Sequence, residues 1–165
     1  KIYLEIGKEL SKITGSNYPL FEEYKLKDAE AVIVVMSSTA GNTKVVIDKM
    51  RAEGKKVGLL KPKLFRPFPY TEIAKALANK KYVAVLDRSE NYGANAPLFG
   101  EIKNALFDSV VCGDKDVCVP KLKSYIFGLG GRNIFESDIE DVFDVLLSDN
   151  FDNKVGYIGL RGEEK

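Results

Sequence analysis

Ala31-Val32-Ile33-Val34-Val35-Met36 is an uninterrupted apolar run, and Ser37-Ser38-Thr39-Ala40-Gly41-Asn42 after it switches abruptly to turn chemistry. A strand with one wet face alternates apolar and polar residues, so a continuous β-branched run points to burial on both faces, as in a parallel sheet covered by helices. Beyond the turn, Val46, Ile47 and Met50 recur at helical spacing and Gly54 supplies a stop. Strand, turn and helix in this order form the first half of a βαβ unit.

The same alternation continues downstream. Val57-Gly58-Leu59-Leu60 reads as a second strand, the proline-bracketed Phe65-Arg66-Pro67-Phe68-Pro69 turns the chain, and Ile73, Ala76 and Leu77 mark a short helix. A third strand, Tyr82 to Asp87, leads through Arg88-Ser89-Glu90-Asn91-Tyr92-Gly93 into a helix bearing Leu98, Phe99, Ile102, Ala105 and Leu106. The fourth strand, Ser124 to Phe127, precedes Gly128-Leu129-Gly130-Gly131-Arg132 and a helix with Ile139, Val142, Phe143, Leu146 and Leu147. Val155 to Ile158 offers a last short strand, weakened by its glycine. Strands alternating with amphipathic helices imply right-handed crossovers and an α/β fold, an open, doubly wound, mostly parallel sheet with helices on both faces.

Upstream of Ala31 the pattern is different. Ile2, Ile6, Leu10 and Ile13 fall at helical spacing before Gly15, whereas residues 15–27 show turn chemistry without a period. Residues 1–27 are expected to be a helix and connector from a preceding domain, and 28–165 the α/β domain. A first residue Lys1 rather than Met fits a piece cut from a longer chain.

At 165 residues, 45% hydrophobic and 30% charged, the composition is that of one globular domain. A net charge of +1 with mixed signs gives no field for a polyanion, so nucleic acid is not expected as a partner. No apolar run reaches the roughly 20 residues of a membrane span and no signal peptide opens the chain, so a cytoplasmic protein without membrane association is expected. The sequence has no His and two cysteines, Cys112 and Cys118, which share one polar loop and are expected as reduced thiols. Without His or clustered Cys, the usual nucleophile-base pairs, zinc sites and iron-sulfur sites are disfavoured.

Three loops follow strand ends, where open α/β sheets place ligands. Ser37 to Thr43 can cap a helix or hold an anion on free amides; no lysine or second glycine completes a phosphate loop, which favours the cap. Asp87 to Asn91 can serve local structure, a subunit contact or, with a suitably raised carboxylate, acid-base chemistry. Gly128 to Arg132 lacks the third glycine of a dinucleotide fingerprint, which favours a turn or docking loop.

Taken in series, Ser38-Thr39-Ala40-Gly41, Leu64-Phe65-Arg66-Pro67-Phe68-Pro69, Val85-Leu86-Asp87-Arg88-Ser89 and Tyr125-Ile126-Phe127-Gly128-Leu129-Gly130-Gly131-Arg132 resemble the carboxy-terminal domain of the alpha subunit of pyruvate (2-oxoacid):ferredoxin oxidoreductases, over about Tyr18 to Leu147. The resemblance implies a fold similar to the transketolase carboxy-terminal domain. It also implies membership of an enzyme that converts a 2-oxoacid and coenzyme A to acyl-CoA and carbon dioxide while reducing ferredoxin. The whole enzyme would use thiamine diphosphate, magnesium, iron-sulfur clusters and coenzyme A; this domain would hold no cofactor or metal and no catalytic residue. Its partners would be the thiamine-binding domain of the same subunit, the other oxidoreductase subunits and, through the whole enzyme, ferredoxin. Arg66 is expected to order its proline turn, and Arg66, Asp87, Arg88, Asn91, Tyr92 and Arg132 are the candidate interface residues. The rival reading is an autonomous domain binding coenzyme A or another anionic small molecule. A flavodoxin-like carrier is a poorer fit, because the chain has no tryptophan to stack on a flavin.

Overall fold

The computed structural model describes residues 2–111 and 118–160. Its elements, in chain order, are α1 (Ile2–Thr14), β1 (Phe21–Tyr24), β2 (Ala31–Val35), α2 (Thr39–Ala52), β3 (Val57–Pro62), α3 (Tyr70–Leu77), β4 (Tyr82–Asp87), α4 (Pro97–Val111), β5 (Lys121–Phe127), α5 (Glu136–Leu147) and β6 (Gly156–Ile158), with a short 3-10 turn at Leu129–Gly131. One six-stranded sheet has the order β1-β3-β2-β4-β5-β6. β1 runs antiparallel to β3, and the other pairings are parallel.

The decisive run behaves as its composition requires. All of Ala31 to Val35 is buried, with Ile33 and Val35 facing one layer and Val32 and Val34 the other. On the first face, Ile47 and Met50 of α2 and Ile139, Phe143 and Leu146 of α5 close over Leu59 and Leu86. On the second, Ile73 and Leu77 of α3 and Leu98, Ile102 and Leu106 of α4 close over Leu60, Val83 and Val85. Strand order reverses between β2 and β4, because β3 leads back past β2 before the sheet grows the other way. That junction is where an open α/β sheet leaves a crevice at its carboxyl edge.

Two expectations are corrected. Residues 21–24, read as connector, form edge strand β1, fastened by its ladder to β3 and by the pairs Lys44–Glu22 and Tyr24–Asp48. The crossovers do not all share one hand: β4-α4-β5 and β5-α5-β6 step the same way across the sheet, yet α4 and α5 lie on opposite faces. α5 fills the space beside α2, where its apolar face finds a core, and the short β6 then returns to the edge. The last short strand forms as expected, and a Cβ at Gly156 would lie 2.5 Å from the Tyr125 ring, so a larger residue there would require that ring to shift.

The stripe Ile2, Ile6, Leu10 and Ile13 does form a helix, stopped at Gly15 with φ +68°. The stripe itself is exposed, Ile2 at 71%, Ile6 at 58% and Ile13 at 82%. α1 rests instead on its other side, where Gly7 packs against Tyr18 and the Tyr3 hydroxyl donates to Pro19 O. Cys118 is exposed and free; Cys112 and its loop to Val117 lie outside the described residues, so the thiol state expected for the pair is reported for Cys118 alone.

Candidate functional site

The carboxyl edge of β2, β4 and β5 gathers the loops that the sequence singled out. Between them lies a cleft of about 330 Å³ lined by Ser38, Thr39, Asn42, Arg88, Phe127 and Arg132 with the residues that follow Arg132. Ser38 precedes α2 but makes no side-chain capping bond, so the expected cap is absent and its hydroxyl is left at the cleft. Thr43, one turn on, is buried and donates to Thr39 O at 2.9 Å.

Arg88 is held by packing rather than by a counter-charge. Its guanidinium carbon lies 5.9 Å from the centre of the Phe127 ring, and its chain crosses Gly128 so closely that a Cβ there would stand 2.9 Å from Nε. Gly128 also has φ +69°, a conformation that side chains disfavour, so glycine is required twice over. Arg132 is tethered through Nη1, which donates to Gly159 O at 2.7 Å. The glycine-rich segment is thus a turn that seats two arginines, and the structure brings Arg88 and Arg132 into one cleft.

The other candidates are distributed around them. Asp87 is only 8% exposed and turns inward, accepting from the Leu98 and Phe99 amides at 3.1 Å each, so it ties β4 to the first turn of α4. Burial raises its carboxyl above the ordinary aspartate range, and the two amide donors oppose that shift. Asn91 lines a neighbouring cleft of about 480 Å³ and donates to Asn95 O at 3.2 Å. In the same cleft the Tyr157 hydroxyl donates to Glu90 at 2.6 Å. Tyr92 is 91% exposed on the loop between. Arg66 lies apart, over α4: Nη2 pairs with Glu101 at 2.8 Å, Nη1 donates to Phe65 O at 2.9 Å, and the guanidinium covers the Phe65 ring at 4.2 Å. Glu101 also accepts from Tyr70, raising that phenol's pKa. Glu101 is the member that sequence reading missed, since nothing in its neighbourhood marks a partner 35 positions from Arg66.

This edge offers cationic and amide groups that bind and orient. Its two buried carboxylates serve helix starts, Asp87 accepting from the Leu98 and Phe99 amides and Asp138 from the Phe135 amide at 2.9 Å. Two cysteines and no His in the whole sequence fall short of the thiolates of an iron-sulfur cluster, and among the described residues no three His, Cys, Asp or Glu converge to hold a metal ion. The residues present do not fit magnesium, a cluster or a metal-held diphosphate.

Fold and site together define a doubly wound α/β domain with two arginines in a cleft at its strand-end face. Comparison with known proteins gives it a family: residues 29–139 match the model for pyruvate:ferredoxin oxidoreductase core domain II, and the chain belongs to that family. It is 40% identical over 162 residues to the pyruvate synthase subunit PorA of Thermotoga maritima, covering 98% of this chain and 40% of that subunit. It is 38% identical to PorA of Methanothermobacter thermautotrophicus, over 100% of this chain and 40% of that subunit. The ketoisovalerate oxidoreductase subunit VorA of Pyrococcus horikoshii is 35% identical over 98% of this chain and 40% of its own length. A 2-oxoglutarate:ferredoxin oxidoreductase from Magnetococcus marinus, solved with 2-oxoglutarate, coenzyme A and succinyl-CoA bound, shares the fold. It matches with TM-score 0.53 and 20% identity over 84% of this chain and 21% of its own.

The resemblance read from the four loop motifs and the α/β fold are borne out. The chain spans about 40% of the length of these curated relatives, matching them as one part of a longer subunit. That relation does not support the rival reading of a free-standing ligand-binding domain. No helix among the described residues is long and apolar enough to cross a membrane.

Proposed function

We propose that this chain is a non-catalytic assembly domain of a thiamine-dependent 2-oxoacid:ferredoxin oxidoreductase of the pyruvate synthase kind. The enzyme would cleave a 2-oxoacid to carbon dioxide, transfer the acyl group to coenzyme A and pass the electrons to ferredoxin. The observation that carries this reading is the match of almost the whole chain, at 40% identity, to part of a pyruvate synthase subunit. The donor set agrees with this division of labour: the sequence has no His and two cysteines, and among the described residues no three His, Cys, Asp or Glu converge to hold a metal ion. Thiamine diphosphate, magnesium, the iron-sulfur clusters and coenzyme A would act on other parts of the assembly, in the cytoplasm.

Two surfaces would do the assembling. α1, with residues 15–20, would belong to the junction with the thiamine-binding domain of the same subunit, and its exposed isoleucines would be covered there. The carboxyl edge bearing Arg88, Asn91, Tyr92 and Arg132 would meet a neighbouring domain or subunit, in keeping with the weight that arginine and tyrosine carry at interfaces. Calorimetry with thiamine diphosphate and magnesium, and visible absorbance after anaerobic cluster reconstitution, test the claim on the purified chain. Neither binding nor cluster absorbance is expected; saturable cofactor binding or a stable cluster would refute it.

A further inference from the structure

Of the four arginines among the described residues, Arg51 pairs with Asp28 and Arg66 with Glu101. Arg88 and Arg132 have no carboxylate partner among the described residues, and both line the same cleft. Among the described residues no aspartate or glutamate lines that cleft, although acidic residues nearly equal basic ones across the sequence, 24 against 25. Two arginines facing one space, with the Ser38 hydroxyl making no capping bond beside them, present a site complementary to negative charge.

The two arginines also have seats of their own. Arg88 lies across Gly128 and the Phe127 ring, and Arg132 donates to Gly159 O, contacts that favour these orientations of two exposed side chains and lower the entropy lost on binding. Guanidinium groups held in this way suit the planar fork of a carboxylate. Phe135, exposed at 62%, and Ile134 border the cleft, adding the apolar contact that a flanking polypeptide uses and a free ion does not. We infer that the Arg88–Arg132 cleft receives an acidic side chain, aspartate or glutamate, from a neighbouring polypeptide segment of the oxidoreductase. This inference rests on the assembly reading above and names the chemistry of the partner at one of its surfaces.

The test uses the complete enzyme, with subunit association measured by analytical ultracentrifugation at several salt concentrations. Arg88→Glu together with Arg132→Glu is expected to weaken association on the order of 30-fold, the size of an interface hot spot, with a smaller loss for Arg88→Gln and Arg132→Gln. The wild-type association should weaken as salt rises, and the doubly reversed variant should lose that dependence. Unchanged melting of the same variants in the isolated chain shows that folding is not the cause, and the glutamine pair serves if the glutamate pair fails to fold. Inorganic pyrophosphate supplies the other arm. If it raises the melting temperature of the chain in an arginine-dependent way while the variants assemble normally, the cleft takes a small anion and the inference fails. Ile6→Ser with Ile13→Ser on α1, read by native-state proteolysis of the full-length subunit at that segment, separates the two levels: if this variant loosens its junction and the arginine variants do not weaken association, only the acidic partner is wrong. If neither effect is seen, the assembly reading fails with it.

Discussion

Replacing Ile6 and Ile13 by serine should leave the isolated chain almost unchanged and weaken its docking in the full-length subunit. The two side chains are 58% and 82% exposed, so little of either is buried by this chain's own packing. Fully burying an isoleucine is worth about 1.5 to 3 kcal/mol. Scaled by the exposed fraction, the pair offers roughly 2 to 4 kcal/mol to whatever covers it, or about 30- to 700-fold in an association constant. Serine and isoleucine have similar helix propensities, so α1 itself should persist, and melting of the isolated chain should move by no more than about 0.5 kcal/mol. The assay is paired: thermal melting of the isolated chain, and native-state proteolysis of the longer subunit at the α1 segment. A large fall in the isolated chain's stability would mean that the isoleucines pack on the domain after all. Unchanged protease resistance of the longer subunit would mean that nothing covers them.

Other consequences follow from burial and charge. Phe143 is fully buried where α5 meets the sheet, so Phe143→Ala should cost about 3 to 5 kcal/mol in urea unfolding, and a loss below 1 kcal/mol would contradict the packing described. For Asp87, burial raises the native carboxyl pKa, so the folded state holds that proton to higher pH than the unfolded state. Its contribution to stability therefore declines as pH rises from the ordinary aspartate value to the raised one. Asp87→Asn should accordingly gain stability relative to wild type across that window, and a relative loss with rising pH, seen by melting at successive pH values, would reverse the sign. Glu22, Asp28 and Asp152 act oppositely: their lysine or arginine partners hold them below the ordinary range, and that stability is lost as pH falls through their native values. Arg66→Ala should disturb the proline turn and its link to α4, lowering stability or assembly, with turnover per assembled enzyme intact; normal melting with depressed turnover would overturn that role.

The parts of this fold that were legible in the sequence are those in which burial and periodicity coincide. β2 is apolar at every position because both faces are covered, and α4 and α5 carry stripes that meet the sheet. β1 was hidden because Phe21-Glu22-Glu23-Tyr24 has no alternation: an edge strand held by backbone pairing to distant β3 leaves little pattern in its side chains. The reversed hand of the last crossover depends on which space α5 can fill, which no local signal encodes. At the candidate site, sequence named Arg88 and Arg132 but could not foresee that Gly128 and Phe127 seat one of them while Asp87 turns away to serve α4. The helical period of Ile2, Ile6, Leu10 and Ile13 was visible too, but periodicity cannot tell whether the chain carrying a stripe also supplies its cover.

The central claim, that this domain serves assembly rather than chemistry, is tested most directly by turnover per assembled complex. Pyruvate- and coenzyme A-dependent ferredoxin reduction should be measured in complete oxidoreductase carrying Arg88→Gln and Arg132→Gln, alongside the fraction of subunits associated at each dilution. The account predicts that the associated fraction falls while turnover of each assembled complex stays at the wild-type value; normal association with turnover lost would contradict it.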